Sequence, residues 1–580
     1  MADGGWLVPK APPGSDKAPD FADQDLIDLR RHADQRLVQM RLYRSSNFTT
    51  WRELSDFILP IRGRFVMPPT PNSGNRGSQR TQRIVKRIAT KAVKSLAAFL
   101  MAGITSPARN WFRLSSGDTD LDDNPQVKLW LAEVQKRLMK VFAESNFYNA
   151  VAALYEEIAT FGTGVMLVEQ DFEDVIRCYT LTAGEYMLGM DDKLRVNTMY
   201  REIVRTVEQL VKEFGFNNCS MTVQQLYRNN QLGAEVNVCH AIEPNYMRVP
   251  GRLGWRGMAF LSLWWEYGHD EGKMLRVGGF RQLPFVAPRW DVVAADTYGH
   301  GPGEEALPDV KMLQLMIKRR AEAVDKMVKP PLIGDASLQN SAVSLIPGGV
   351  NFVPGASQMG LKPIYVVPPN IVGLNEQIAE TVQDIREAFF NDLIQMFAAL
   401  DQHDMTAREV EERHEEKLLM LGPMLERFHD EALTPIIEIV FGIMSRGGLM
   451  PPAPQALHGR FVSPEYISLL AQAQKAVGTT GIERLFAFAG SISAANPSVM
   501  DKLDADETID DYASMLGVSP KIVRAQDAVD AMRKAREQTM QQQMAAQQGL
   551  AAAQGGKVLS ETDVGGGQNA LSLMTGLGQA

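Results

Sequence analysis

The sequence predicts an α+β fold, and three observations predict it. Helical periodicity runs from Asp25 to about Ala143 and returns from Asp309 onward. Between them, from Gly162 to about Tyr298, short β-rich runs alternate with Gly, Asn and Asp breaks. A Pro- and Gly-rich insert, Pro330 to Asn370, then separates two long helical stretches. The chain has 580 residues, room for about four domain-sized units. With 45% apolar and 22% charged residues it has the composition of a globular protein, not a disordered or fibrous one.

Taken in order, residues 1–25 read as a flexible arm, Met1 to Asp20 being rich in Pro, Gly, Asp and Lys. Helices are expected from Asp25 to Ser45 and from Trp51 to Pro60, then a loop from Met67 to Ser78. Arg80 to Ile104 is an amphipathic helix: Arg83, Arg87, Lys91 and Lys94 share one arc, with Val85, Ile88, Leu96 and Phe99 opposite. Pro125 to Ala143 is a further helix with Asn124 as its cap. Strands are expected at Val165–Val168, Val175–Tyr179, Glu235–Ile242, Met258–Tyr267 and Met274–Val277. A helix is inserted at Val207–Phe214, and Trp255, Trp264 and Trp265 fill the core. Long helices follow at Asp309–Val328 and Ile371–Phe397. Thr406–Met444 is a third, kinked at Gly422–Pro423. Pro464–Val477, Ile482–Phe488 and Asp501–Gln538 read as helices, and the Gln-, Ala- and Gly-rich end as a mobile tail.

Charge and cysteine usage narrow the function. There are 60 Lys and Arg against 69 Asp and Glu, a net charge of -9. A protein that grips nucleic acid over its whole surface would be basic, so any DNA contact here is local or deliberately weak. Cys178, Cys219 and Cys239 have no paired spacing, which argues against a zinc site or a disulfide framework and for reduced, structural thiols. No signal peptide is apparent. Ser95–Ile104 and Ala432–Met444 fall short of the roughly 20 residues of a membrane span. The chain reads as an intracellular protein or part of a particle made inside a cell.

Catalytic constellations are weak. The run Asp296–Val310 carries Gly299, Gly301 and Gly303, but lacks GxxxxGK[ST] and reads better as a tight turn than as a phosphate cradle. His414 stands in HEEK, not HExxH, and reads as part of a solvated helix face. GxSxG is absent, and Cys178 has no identifiable partners. The expectation is no catalytic site, no metal and no cofactor. The basic arc on Arg80–Ile104 fits a solvated face, with nucleic acid or an anionic membrane as the alternative.

The informative feature is the helix pair around the insert. Asp309–Lys329 holds six bases and three acids, whereas Ile371–Phe397 holds five acids and one base. On the second helix Glu376, Glu380, Asp384 and Glu387 fall within an arc of about 80°, and Ile378, Val382, Ile385, Phe389 and Leu393 cover the other side. In a lone protein this is a hairpin with a solvated face. In a ring of identical chains the stripe becomes stacked rings of negative charge around a hole.

With this order of elements, and with the phrases WRELSDFILPIRGRF, LMAGITSPARNWFRL, FGTGVMLVEQDF and YGHGPGEEALPDVKMLQ, the chain resembles the portal, or head-to-tail connector, proteins of short-tailed bacteriophages over Leu26 to Gly517. The resemblance implies a portal-type fold: residues 26–308 as the wing, 309–329 and 371–397 as two stem helices, and 330–370 as a β-containing clip. Residues 398–405 would be the channel loop, 406–474 the kinked helix and wing return, 475–517 a helical crown, 518–550 a short helical barrel and 551–580 a flexible tail. It implies a ring, usually of about twelve subunits, at one capsid vertex. Its partners would be double-stranded DNA in the channel, terminase, a tail adaptor and the major capsid protein, with scaffolding and internal core proteins besides. Glu376, Glu380, Asp384 and Glu387 would line the channel, and Asp401, Gln402, His403 and Asp404 would form the loop near its narrowest point. The competing readings are a nuclease or NTPase, which needs clustered carboxylates or a Walker loop, and a membrane-surface scaffold.

Overall fold

The computed structural model describes residues 23–66, 84–122, 124–268, 273–328, 332–333, 362–363, 372–392, 394, 422–457, 460, 462–467, 482, 485–492, 502–515 and 526–561. The chain divides into two units, Met1–Gly117 with Trp130–Val477, and Asp118–Leu129 with Gly478–Ala580. Described helices and strands alternate in the order expected of an α+β protein.

The first unit opens on α1 (Asp23–Ser45), α2 (Phe48–Phe57), α3 (Ile88–Gly103) and β1 (Phe112–Ser115); α4 (Pro125–Glu144), which belongs to this unit from Trp130 on, and α5 (Phe147–Phe161) follow. Next come β2 (Val165–Asp171), β3 (Val175–Leu181), β4 (Tyr186–Met190), β5 (Val196–Thr206), α6 (Val207–Phe214), α7 (Met221–Arg228), β6 (Glu235–Pro244), β7 (Phe260–Glu266), β8 (Arg276–Phe280) and β9 (Phe285–Val286). Strands β4 to β8 form an antiparallel five-stranded sheet in chain order, and β3-β2-β9 forms a second, three-stranded one.

Alternation along the strands sends neighbours to opposite faces of the large sheet. Tyr200, Cys239, Leu263 and Trp265 pack under Leu29, Ala33 and Leu37 of α1. Val238 and Trp264 pack on the other face beneath Val207, Leu210, Phe214 and Val223 of α6 and α7. The consecutive Trp264 and Trp265 thus serve two cores, and Trp255 is partly buried against the first. Helix α6 starts where a capping box forms between Thr206 and Gln209, which stops the β5 ladder.

Helix α8 (Pro302–Val328) and helix α9 (Val372–Ala388) flank the insert, whose described residues are the antiparallel pair β10 (Leu332–Ile333) and β11 (Lys362–Pro363). After residues 422–428, which are helical, the chain passes through a π-helical turn, His429–Leu433, into α10 (Thr434–Arg446). Strand β12 (Ser463–Tyr466) then pairs with β1, Phe112 opposite Tyr466. In the second unit, α11 (Ala505–Met515) precedes the 36-residue α12 (Gln526–Glu561), of which residues 530–548 are exposed throughout.

Several expectations are corrected. Helix α8 begins at Pro302, not Asp309; Pro302 takes the first helical position, and Pro308 sits inside the helix, where its missing N–H affects only the first turns. Helix α3 begins at Ile88, not Arg80, and Val85 ahead of it is exposed. Helix α9 ends at Ala388 because Phe390 turns left-handed (φ 55°), which lets Phe389 bury and Phe390 meet Trp290 at 5.8 Å. Asp392 therefore lies beyond the helix. Residues 463–466 are a strand, not the start of a helix, since pairing with β1 overrides helical periodicity. The expected kink at Gly422–Pro423 borders residues 406–421, which lie outside the described residues; within 422–446 the late helix carries an unforeseen π-turn before Pro435, where Thr434 N–H reaches back to His429 O. Pro435 has no N–H to donate, and one extra residue in the turn relieves its ring's clash with the preceding turn. Helix α12 continues through Gly555 and Gly556 to Glu561, so residues 551–561 are helical, not a flexible tail. Helix α5 and strands β4 and β5 had no expectation. Residues 1–22, 398–405 and 562–580 lie outside the described residues.

Candidate functional site

Helices α8 and α9 pack side by side, and α9 also touches α3. Ile378, Thr381 and Ile385 form the buried face of α9, with Phe389 buried just past its end; from α8, Val310, Leu313, Gln314 and Ile317 turn inward. Gln314 carries a specific duty. Its side-chain oxygen accepts from the backbone N–H of Val85 (2.9 Å) and Lys86 (3.0 Å), and its amide donates to Lys86 O (2.7 Å). One glutamine thus satisfies the backbone that leads into α3, where an unpaired buried amide would cost about 1–3 kcal/mol.

With the apolar face committed, the acids have one side left. Glu376, Glu380, Asp384 and Glu387 all lie on the exposed face of α9, as the periodicity predicts. Gln383 donates to Glu387 (3.0 Å). The bases of α8 are used unevenly. Lys311 pairs with Glu53 (2.6 Å), Arg319 with Glu322 (2.9 Å), and Arg320 donates to Asn375 of α9 (3.3 Å). Asp401, Gln402, His403 and Asp404 lie outside the described residues, as does His414.

The glycine run feeding α8 is a packing device. A Cβ on Gly301 would sit 2.8 Å from Ile158 O, and one on Gly299 2.7 Å from Gly162 O, so the loop lies backbone against backbone on the end of α5. Its amides are occupied: Gly299 N–H donates to Thr163 Oγ1 (2.7 Å) and His300 N–H to Asp291 O (2.8 Å). A phosphate cradle needs those donors free. The turn reading therefore holds, although the helix starts earlier than expected.

Two buried ion pairs had no signal in the sequence. Arg289 grips Glu431 of the π-turn through its own backbone N–H (2.9 Å), Nε (3.3 Å) and Nη2 (2.6 Å). Its remaining donors reach Asp296 O and Leu194 O. Beside it His429 stacks on Tyr466 at 3.9 Å, and burial pushes its imidazole down to about 4. Arg62 spans Glu156 (2.8 Å) and the fully buried Glu157 (3.2 Å), and burial raises the Glu157 carboxyl to about 7. These residues lie far apart in sequence, and only the fold brings them together.

Cys178, Cys219 and Cys239 are free and buried, as expected. Among the described residues no group of three or more His, Cys, Asp or Glu is placed to hold a metal, and no helix is long and apolar enough to cross a membrane.

Residues 30–523 match the family described as bacteriophage head to tail connecting protein. The chain belongs to that family. The connector is 42% identical over 89% of its length to the "Probable portal protein" of Bordetella phage BPP-1, covering 92% of that relative. It is 41% identical over 91% of its length to the "Portal protein" of Salmonella phage epsilon15, covering 95% of it. A chain from the neck of an empty gene transfer agent particle aligns with 78% of the connector and 96% of its own length at 13% identity, with a TM-score of 0.33, too low to inform the fold. The role of the connector is that of a phage portal, and the nuclease, NTPase and membrane-scaffold readings are not favoured.

Proposed function

We propose that copies of this chain form a ring, of about twelve subunits, at one vertex of the capsid, and that the double-stranded genome passes through its centre on packaging and ejection. In this reading α8 and α9 are the stem, and the insert 330–370 is the clip that meets terminase and later the tail adaptor. The wing, built from the two sheets and helices α1 to α7, sits among major capsid protein and, inside the head, scaffolding and core proteins. Residues 398–405 form the channel loop. Residues 475–517 form the crown and α12 extends it. The ring assembles in the host cytoplasm and stays in the virion. No catalytic step is assigned to the chain, and no cofactor.

The observation that carries this reading is the exposed acidic face of α9, set on a helix whose other side is fully committed to α8 and α3. Glu376 to Glu387 spans about 16 Å at about 1.5 Å per residue. Duplex DNA over that length carries about ten phosphates, at one per roughly 1.7 Å. A wall of like charge keeps the duplex centred and weakly held, and counterions fill the gap. Carboxylates make none of the phosphate contacts by which basic proteins release counterions and bind. His403 adds positive charge to the loop only where its pKa meets the ambient pH.

The test is the triple variant Glu376→Lys, Glu380→Lys and Glu387→Lys. It changes only exposed positions, so rings still assemble. It is expected to hold DNA more tightly in low salt and to slow translocation. Unchanged packaging and DNA retention by assembled rings would show that the stripe does not line the channel.

A further inference from the structure

Two surface features of the first unit present apolar side chains on rigid backbones, with opposite charge. The first is the loop between β6 and β7. Tyr246 is 79% exposed and Leu253 88%, with Met247 and Val249 beside them. Exposed apolar side chains on loops usually sit on mobile backbone, but this loop is braced. Asn245 donates to Trp255 O (2.9 Å) and Met258 O (3.0 Å) and accepts from Met247 N–H (3.0 Å), and Val249 N–H donates to Arg256 O (2.7 Å). From Asn245 to Gly257 the loop carries Arg248, Arg252 and Arg256 and no acid. Arg256 pairs with Asp25, whereas Arg248 and Arg252 have no acidic partner among the described residues.

The second is the tip of the β2–β3 hairpin, Asp171-Phe172-Glu173-Asp174. Phe172 is 80% exposed. Asp171 accepts from Glu173 N–H (2.8 Å) and from Arg177 (3.3 Å), and Arg177 also reaches Asp174 (3.2 Å). Val175 closes the turn at φ 68°, a left-handed conformation that a β-branched residue rarely adopts. The turn thus holds Phe172 outward, with Glu173, which has no ion-pair partner among the described residues, at a cost in backbone strain.

The two features belong to different sheets: the loop follows the last residue of β6 in the five-stranded sheet, and the tip joins β2 to β3 in the three-stranded one. Two copies arranged head to tail can bring the tip of one against the loop of the next. Such heterologous contacts close into rings when the rotation between copies permits.

We propose that the Phe172 tip of one copy docks on the Tyr246–Leu253 loop of the next, Glu173 facing Arg248 and Arg252. This rests on the ring reading above. It adds a contact in the wing, away from the α8–α9 pair. The apolar side chains supply the buried centre, and the charges set partner and polarity.

The test uses the full chain and two variants, Glu173→Arg and the double change Arg248→Glu with Arg252→Glu, with assembly followed by native mass spectrometry over a range of concentrations. Each variant alone is expected to need at least about tenfold more protein to form rings than the unmodified chain, since like charges now meet. Mixed one to one, the variants should recover ring formation. The reversed tip then meets the reversed loop, the native tip meets the native loop, and subunits alternate, giving even-numbered rings. Phe172→Ala, which leaves every charge in place, should also weaken assembly. Rings from both charge variants at the unmodified concentration overturn the contact while leaving the ring reading intact; so does loss of rings in both without recovery on mixing, which would point to another acidic partner for the loop. If the unmodified chain itself forms no closed assembly, the ring reading fails and this contact with it.

Discussion

Gly162 offers a direct measure of how tightly the head of α8 is seated. It caps α5 at φ 73°, and a Cβ there would lie 2.6 Å from the carbonyl carbon of Gly299 and 2.7 Å from that of His300. Alanine at this position meets two costs. The left-handed backbone contributes about 1–2 kcal/mol. The overlap is with backbone, which cannot swing aside as a side chain does, and overpacking of this kind costs about 1–3 kcal/mol. Gly117 supplies the control, since it has φ 74° and nothing within 4 Å of its would-be Cβ. Gly117→Ala therefore carries the first cost alone. At about 2 °C per kcal/mol for a unit of this size, Gly162→Ala should lower the melting temperature by about 4–10 °C and Gly117→Ala by about 2–4 °C. Circular dichroism melts of the two variants decide the matter. Equal shifts would refute the backbone-on-backbone account of the glycine run.

Arg289→Met leaves Glu431 without its guanidinium and should destabilise by about 3 kcal/mol in urea unfolding, as for other buried pairs that lose one partner; a change under about 1 kcal/mol, typical of an exposed pair, would contradict the clamp. Glu157 titrates above its ordinary range because of burial, so its protonated form is the one the fold favours. Stability from this group is full below pH 4.5 and is lost as pH rises to about 7, by up to about 3 kcal/mol; Glu157→Gln should remove that slope from the pH–stability curve. The thiols of Cys178, Cys219 and Cys239 are each pushed up to about 12 by burial. Iodoacetamide should therefore leave the native chain's mass unchanged and add three labels only in denaturant, and any native labelling would show a thiol more accessible than the fold allows.

What the sequence revealed followed periodicity. Helix α6 was legible to the residue because Thr206 and Gln209 advertise its start and Gly215 its end. The acidic face of α9 was legible because the buried stripe Ile378, Ile385 and Phe389 leaves only one place for the acids. Decisions made by distant partners were not legible. Ser463–Tyr466 becomes a strand because β1 offers an edge from more than three hundred residues upstream. The true start of α8 was hidden because Pro308 reads locally as a helix boundary while Pro302, six residues earlier, supplies it. The π-turn follows from Pro435, yet which turn absorbs the extra residue depends on where Arg289 meets Glu431. Strand β5 was hidden because it alternates only in part and carries three charges among its 11 residues, Arg201, Glu202 and Arg205. Arg201 is buried there, donating to His240 at 3.0 Å.

Helix α12 departs from the way the rest of the chain is stabilised. Its 36 residues make a rod about 54 Å long at about 1.5 Å per residue. Residues 530–548 are exposed throughout, and Arg533 on Asp506 of α11 ties the helix to its own unit at 2.8 Å. Such a rod stands on intrinsic propensity, rich as it is in Ala, Gln, Met, Lys and Arg, and on the pairing of Arg533 with Asp506. Gly555 and Gly556 subtract about 1 kcal/mol apiece near its end. Helicity here is therefore a graded quantity: it frays from the C-terminus inward with warming, responds to salt, and rises when any neighbour shields one of its faces. In thermodynamic terms the rod is an unsaturated element, whose degree of order reports how crowded its surroundings are.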